Sequence, residues 1–400
     1  MSAPALSIGL YTYSTQPRGS VVHCAALADA LVAKGHSVTV YALAKPGSET
    51  FFRTLEAQLV LIACEPAPPT LEALIEQRIS EFARCVRELS PRHDVHHAQD
   101  CLAANALLRG RPKRGAVVRT VHHVEHFDSS SLEHCQARSI HDSDMVLTVS
   151  GATQKDVERT YGVASSRVNN GVERSRFEPA AQSAVAQLRT RLGLGDARPV
   201  LVSFGGIEPR KNTLRLLDAF ISLRKEVPTA RWLIVGGASI LDHSVYRDEF
   251  ERRLARASLA DRQAVVCTGV LSDAEVQAAY GLADVVAQPS LREGFGLCAL
   301  ESLAAGVPLV ASRRVPFTEY LDDSCAVLVD PEDTIGLLGG LERAISIEGR
   351  AERIRRGIQR ARLYDWSGVA DQHARLYAQL AEQGAPAMAT KRAPHGRSHA

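Results

Sequence analysis

The pattern that most restricts the fold is a strand–helix–strand unit at the N-terminus that starts again near the middle of the chain. Leu6-Ser7-Ile8-Gly9-Leu10-Tyr11 reads as a short buried strand. A polar loop bearing Pro17 and Gly19 follows, and apolar residues then recur with helical spacing over 22–34. Gly35 closes that helix, and Val38-Thr39-Val40-Tyr41 is the next strand. A crossover of this kind makes its two strands parallel. Strand-like runs recur at 59–63, 94–97, 117–121 and 145–150, with helical stretches between them, 71–89 being the plainest. The pattern restarts with short apolar runs at 200–204, 232–235, 265–267, 285–287 and 309–311. The expected fold class is therefore α/β, two doubly wound domains (1–180 and 181–365) facing one another across a central cleft. Residues 173–199, poor in strand formers, read as a hinge carrying a short helix at 184–192. Ligands in such sheets bind beyond the carboxyl ends of the strands, so both domains should point those ends into the cleft.

Composition removes several function classes. At 400 residues with a net charge of +2, the chain has no bulk attraction for nucleic acid. Lys391, Arg392 and Arg397 near the end account for the excess, and residues 384–400 lack periodicity and are expected to be disordered. Eight cysteines are scattered without a CxxC pair, several in apolar runs such as Ala264-Val265-Val266-Cys267, which reads as buried reduced thiols. No run approaches the ~18 apolar residues of a membrane span, and the N-terminus lacks the pattern of a signal peptide. The expected location is the cytoplasm.

The densest chemical signal is Pro289-Ser290-Leu291-Arg292-Glu293-Gly294-Phe295-Gly296-Leu297-Cys298-Ala299-Leu300-Glu301, running on to Gly306 and Pro308. A strand ends near Ala287, a glycine-bearing turn follows, and a helix starts near Gly296 and stops at Gly306. Gly294 and Gly296 should leave room for a ligand to approach the backbone. The free amides and positive dipole end of the helix suit a diphosphate. Glu301, about one turn in, can accept hydrogen bonds from vicinal hydroxyls such as those of a ribose, and Glu293 lies where a reacting group would sit.

This segment resembles the signature of retaining glycosyltransferases of family 4, whose donor sites share two glutamates with seven residues between them, here Glu293 and Glu301. Ser203-Phe204-Gly205-Gly206-Ile207-Glu208-Pro209-Arg210-Lys211-Asn212 resembles that family's basic loop, with Gly206 where an Arg is common. Asn170-Gly171-Val172-Glu173 resembles its interdomain segment, and Tyr364-Asp365-Trp366-Ser367 the stretch before its closing helix. The resemblance implies the GT-B arrangement of two Rossmann-like domains, with a closing helix at 366–383 packing back on the first. It implies a hexosyltransferase that moves a sugar with retention from a nucleoside diphosphate sugar onto an unknown acceptor, a glycan, lipid or small molecule. No metal and no other cofactor would be needed. Glu293, Lys211, His122 and Arg210 would be catalytic, Lys211 neutralising the leaving diphosphate and Arg210 supplying the charge absent at Gly206. Glu301, Gly19, Gly205, Gly294, Phe295, Gly296 and Leu297 would bind the donor.

Other features have duller readings. Eight of the fourteen histidines fall between His93 and His141, and His122 and His126 share a helical spacing; lining of a polar cleft is preferred to a metal site. Asp142-Ser143-Asp144 precedes a strand and reads as a solvated turn. Arg109-Gly110-Arg111-Pro112-Lys113-Arg114 is a basic turn for which weak peripheral membrane contact is the functional expectation. Two rivals to the transferase remain: another GT-B enzyme acting on nucleotide sugars, such as an epimerase or phosphorylase, and a non-catalytic sugar-nucleotide binding protein.

Overall fold

Runs of β-branched and aliphatic residues form inner strands buried on both faces, as parallel sheets covered by helices require. The computed structural model describes residues 5–89, 91–127, 129–177, 181–237 and 243–382. The first domain contains β1 (Ser7–Thr12), β2 (Ser37–Ala44), β3 (Gln58–Ala63), β4 (Val95–Ala98), β5 (Ala116–Val121), β6 (Met145–Thr148) and β7 (Ser166–Arg167). They make one parallel sheet in the order β3-β2-β1-β4-β5-β6-β7. The second contains β8 (Val200–Phe204), β9 (Arg231–Val235), β10 (Val265–Gly269), β11 (Val285–Gln288), β12 (Leu309–Ser312) and β13 (Val327–Val329). Their order is β10-β9-β8-β11-β12-β13, again all parallel. In both sheets the winding reverses beside the first strand, between β1 and β4 and between β8 and β11. Such switch points open a crevice at the carboxyl strand ends.

The chain crosses twice between the domains, and the crossings run side by side. Val172 pairs with Asp365 as an isolated parallel bridge, and its amide donates to the Tyr364 carbonyl at 2.7 Å. Gly171 is pressed on Trp366, where a Cβ would lie 2.9 Å from the Trp366 nitrogen. The helix Trp366–Glu382 then packs on the helix Gly19–Ala33, so Val369, Ala370, Tyr377 and Leu380 join Ile8, Leu27 and Leu31 in the first domain's core.

Three sequence readings change here. The helix of the expected hinge, Gln182–Arg191, docks against the helix Asp273–Leu282 with Leu188 in the second domain's core, so the crossing is confined to 170–173 and 364–366. Cys267 is exposed, because β10 is an edge strand with one side uncovered. The expected strand at 145–150 ends at Thr148, since Ser150 caps the next helix by accepting from the Thr153 amide at 3.1 Å. The tail at 384–400 lies outside the described residues.

Candidate active site

On the second domain's side, the loop after β11 brings Glu293 onto two cations. Lys211 Nζ lies 2.5 Å from Glu293 Oε1, and Arg210 Nη1 3.3 Å from Oε2. Ser290 Oγ donates to Oε1 at 2.9 Å, and Arg210 Nε also holds Glu208 at 2.8 Å. Burial alone would raise the Glu293 carboxyl, but Lys211, Arg210 and the Ser290 hydroxyl outweigh it and hold the pKa at about 2. Asn212, at φ 60°, fixes the loop by donating its side-chain amide to the Pro289 and Pro331 carbonyls at 3.1 and 2.6 Å.

The helix Leu297–Ala304 begins beyond this loop with Gly296 as its N-cap at φ 88°, a left-handed conformation that favours glycine. Among the described residues, no protein acceptor takes the amides of Gly296, Leu297 or Cys298. Glu301 lies one turn in; its Oε2 accepts from the Tyr280 hydroxyl at 2.8 Å, while Oε1 has no hydrogen-bond partner among the described residues. Burial raises the Glu301 carboxyl, opposed by the Tyr280 hydrogen bond and by the charge of Arg176. Tyr280 is held in turn by stacking on Phe204 at 4.4 Å.

The expectation that Gly294 and Gly296 make room for a ligand is corrected by what fills their Cβ positions. At Gly296 a Cβ would meet Phe317 at 2.4 Å, and at Gly294 it would lie 1.7 Å from the His122 carbonyl oxygen. Both glycines make room for protein. The Phe295 ring is likewise buried, stacked on Tyr320 at 4.9 Å, and the Tyr320 hydroxyl donates to the Phe295 and Gly296 carbonyls at 2.9 and 3.1 Å. Phe295 can therefore offer a ligand only its backbone.

The loop after β8 explains Gly206. A Cβ there would meet the Gly237 carbonyl at 2.9 Å, and one at Gly236 the Gly206 nitrogen at 2.8 Å. Two glycine loops touch backbone to backbone, so no side chain fits where the family resemblance would place an Arg. Gly205, at φ 108°, leaves the channel through which Lys211 passes, its own Cβ position being 2.5 Å from Lys211 Cε.

The first domain contributes His122 at the end of β5, half-buried, with Nε2 3.2 Å from Gln99 Oε1. Gln99 follows β4, so it stands at that domain's switch point. Thr153 Oγ1 donates to the Gly294 carbonyl at 3.3 Å and the Gly151 and Ala152 amides to Glu319 at 2.8 and 2.7 Å, which ties the two domains together at the cleft. Gly19 opens the helix Gly19–Ala33, exposed and with no atom within 4 Å of its Cβ position.

Behind His122 lies a row of buried imidazoles: His23 meets it edge-on at 4.8 Å, and His373 from the closing helix stands 6.1 Å from His23 and 5.8 Å from His97. Burial, then the neighbouring imidazole His373, lowers His23 to about 3, and burial lowers His373 to about 4. Such groups fold neutral, whereas the unfolded chain takes up protons below its ordinary pKa near 6.5. Stability is therefore full above that value and falls as pH drops from ~6.5 toward 4, by about 1.4 kcal/mol per pH unit for each such group. Urea midpoints measured from pH 7 to 5 should decline, and His373→Gln should flatten the slope; an unchanged slope would remove this account.

The sequence comparisons agree with this geometry. Residues 17–176 match the model of "Glycosyltransferase Family 4" and residues 185–361 that of "Glycosyl transferases group 1". The GDP-mannose-dependent alpha-(1-6)-phosphatidylinositol monomannoside mannosyltransferase of Mycolicibacterium smegmatis is 30% identical over 322 residues, 74% of this chain and 78% of the relative. The chain belongs to glycosyltransferase family 4. The D-inositol 3-phosphate glycosyltransferase of Xylanimonas cellulosilytica is 32% identical over 63% of this chain and 58% of that protein. In fold, this glycosyltransferase is similar to HepE of Anabaena, solved with UDP and glucose (TM-score 0.76, 19% identity, 94% of this chain and all of the other). It is similar also to sucrose-phosphate synthase of Thermosynechococcus elongatus (TM-score 0.77, 20% identity, the same coverage). The two domains together thus make the GT-B fold.

Of the residues singled out in the sequence, Glu293, Lys211, Arg210 and Gly205 come together directly, Glu301 sits under the same helix start, and His122 faces that loop from the other domain. Sequence reasoning missed Tyr280, Ser290, Tyr320 and Gln99, whose types carry no pattern of their own. Asp144 in the expected turn is structural, its Oδ2 accepting from the Val117 amide at 2.8 Å. In the basic turn, Arg109 is paired with Glu76 and Arg114 with Asp94, which removes much of its reach toward a lipid surface. Among the described residues no helix is long and apolar enough to cross a membrane.

Proposed function

We propose that this glycosyltransferase moves a sugar from a nucleoside diphosphate sugar, held mainly by the second domain, to an acceptor hydroxyl presented by the first. The anomeric configuration is retained, no bound metal or other cofactor takes part, and the setting is the cytoplasm. The observation that carries the reading is the open start of the helix Leu297–Ala304. Lys211 and Arg210 meet on Glu293 at its mouth, and Glu301 has one carboxylate oxygen to spare. A diphosphate there meets amides, a helix dipole and a lysine already in place. Glu301 takes the ribose hydroxyls and Glu293 those of the transferred sugar. Gly19 faces the diphosphate from the first domain.

In the transfer, the acceptor oxygen bonds to the anomeric carbon as the carbon–oxygen bond to the diphosphate breaks. The electron pair leaves on the diphosphate, and the acceptor's proton goes to its released oxygen. Charge grows where Lys211 stands, which assigns the cation the work a metal ion performs elsewhere. Closure of the two domains over His122 and Gly294 excludes water and limits donor hydrolysis.

A thermal-shift screen of nucleotide sugars tests the reading. The mycobacterial relative is named for GDP-mannose, so that donor is tried first, with UDP-glucose and free mannose beside it. A donor at about a hundred times its Kd should stabilise the fold by about 2.7 kcal/mol. Absence of any shift with every nucleoside diphosphate sugar would overturn the donor site, and conversion of the donor sugar without acceptor would favour an epimerase.

A further inference from the structure

Two buried polar paths converge on His122, one from the helix that follows the second domain crossing and one from the first crossing itself. In the helix Trp366–Glu382, Tyr377 is wholly buried and sets its hydroxyl 2.5 Å from His97 Nδ1. That hydroxyl has no other acceptor among the described residues, so it donates there. Burial lowers the His97 pKa well below its ordinary value and keeps the ring neutral. Its one proton therefore sits on Nε2, which donates to Thr120 Oγ1 at 2.6 Å. Both in-plane positions of the ring are taken, and the Gln99 side-chain nitrogen, 3.4 Å from each ring nitrogen, rests against its face. This orients the amide with its oxygen toward His122, 3.2 Å from Nε2. An amide oxygen only accepts, so His122 carries a proton on Nε2; burial keeps this ring neutral too, which leaves Nδ1 as an acceptor.

The second path is shorter. Asn170 Oδ1 accepts from His23 Nδ1 at 2.8 Å. The His23 ring stands nearly perpendicular to Trp366 at 5.1 Å and to His122 at 4.8 Å. Its Nε2 is buried with no partner among the described residues. Apolar contact by Val369, Ala370 and Leu380 already seats the closing helix on the first domain. A row of polar groups beneath it costs desolvation that apolar residues of the same size would not. What the row supplies instead is a fixed geometry at its end, where His122 stands.

We propose that Tyr377 and His97 are positioning residues for sugar transfer: through Gln99 they fix the ring angle and tautomer of His122, with His23, held by Asn170, as a second brace, so that His122 is set only when the closing helix is seated. The inference rests on the reading that His122 acts in transfer, and the experiment separates the two.

Release of GDP from GDP-mannose is followed on the full chain for the wild type, Tyr377→Phe, Gln99→Met, His122→Ala and the double variant Tyr377→Phe with His122→Ala. Tyr377→Phe keeps the ring in the core and removes one oxygen. It should lower kcat about tenfold at unchanged KM for the donor, which the second domain holds, and Gln99→Met should do at least as much. In the His122→Ala background Tyr377→Phe should cost nothing further, whereas a structural defect would cost the same in both. Proton–nitrogen correlation NMR, with His122 assigned by its loss in His122→Ala, reads the geometry without a donor and decides alone if no GDP is released. The wild type should show a protonated Nε2 and a bare Nδ1, and Tyr377→Phe and Gln99→Met should move both nitrogens toward the averaged shift of an exchanging ring. Wild-type kcat in Tyr377→Phe, an equal loss in both backgrounds, or a His122 signal unaltered in Tyr377→Phe and Gln99→Met overturns the positioning role. Failure of the underlying reading looks different: His122→Ala would then match the wild type while its neighbours' variants still shift the His122 signal, which leaves the network intact but ends its part in transfer.

Discussion

Lys211→Ala should lower turnover by about two to three orders of magnitude, the usual loss when one preorganised stabiliser of a growing negative charge is removed. The side chain is 9% exposed and ends 2.5 Å from Glu293, so nothing else can move into its place without rebuilding the loop. Arg210, at 3.3 Å and on the rim, stays behind with Ser290 and keeps Glu293 partly compensated. Losing the nearest cation should raise the Glu293 carboxyl from about 2 toward the ordinary carboxylate range. The sign of the stability effect follows: a depressed folded-state pKa stabilises above the unfolded value and loses that contribution as pH falls toward 2, and the variant should lose part of it at neutral pH. Lys211→Arg should not rescue turnover, because the channel at Gly205 admits only the slender alkyl chain, its Cβ position being 2.5 Å from Lys211 Cε. Single-turnover rates beside urea titrations separate the two effects. A Lys211→Ala enzyme within tenfold of wild type would take Lys211 out of the charge-stabilising role.

Gly294→Ala is expected to cost about a hundredfold in turnover with little change in melting temperature. The added Cβ would sit 1.7 Å from the His122 carbonyl oxygen, and both clashing groups are backbone-fixed, so no rotamer relieves the contact. The two domains have to part at the point where Glu293 faces His122, and misplacement on the order of 1 Å is enough for a loss of that size. Nucleotide affinity should hold, since Lys211, Glu293, Glu301 and the helix Leu297–Ala304 all belong to the second domain. Neither domain core includes the contact, so the cooperative unfolding of each half should be kept. A variant that turns over within a few-fold of wild type while binding nucleotide normally would show that the closed contact is absent from the working state.

Much of this architecture was legible because it is written at short range. The apolar runs at 200–204 and 285–287 and the helix at 71–89 carry their own period, and each formed near where that period placed it. The strand Val327–Val329 escaped because three residues after a polar stretch are too few to show a period, and the two-residue β7 could not show one at all. The helix at 182–191 was visible while its allegiance was not, since only the docking of Leu188 assigns it to the second domain. In the site, Glu293, Glu301 and the helix start between them could be found because strand end, glycine turn and cap fall within one stretch of sequence. Tyr280 is 21 residues from its partner Glu301 and has no motif, so nothing local marked it.

The sequence by itself determined two parallel α/β sheets, the position of each switch-point loop, and a helix beginning at Gly296 with a glutamate on either side. These follow from the alternation of apolar runs and from glycine and proline punctuation, which act over a few residues. Tertiary structure alone decided that Gly294 makes room for the other domain's backbone, that Gly206 is barred from bearing a side chain by Gly236 and Gly237, and that Arg78 Nε has no hydrogen-bond partner among the described residues. Those outcomes depend on which atoms meet across tens or hundreds of residues, and steric contact and charge balance at such separations leave no periodic trace in the chain.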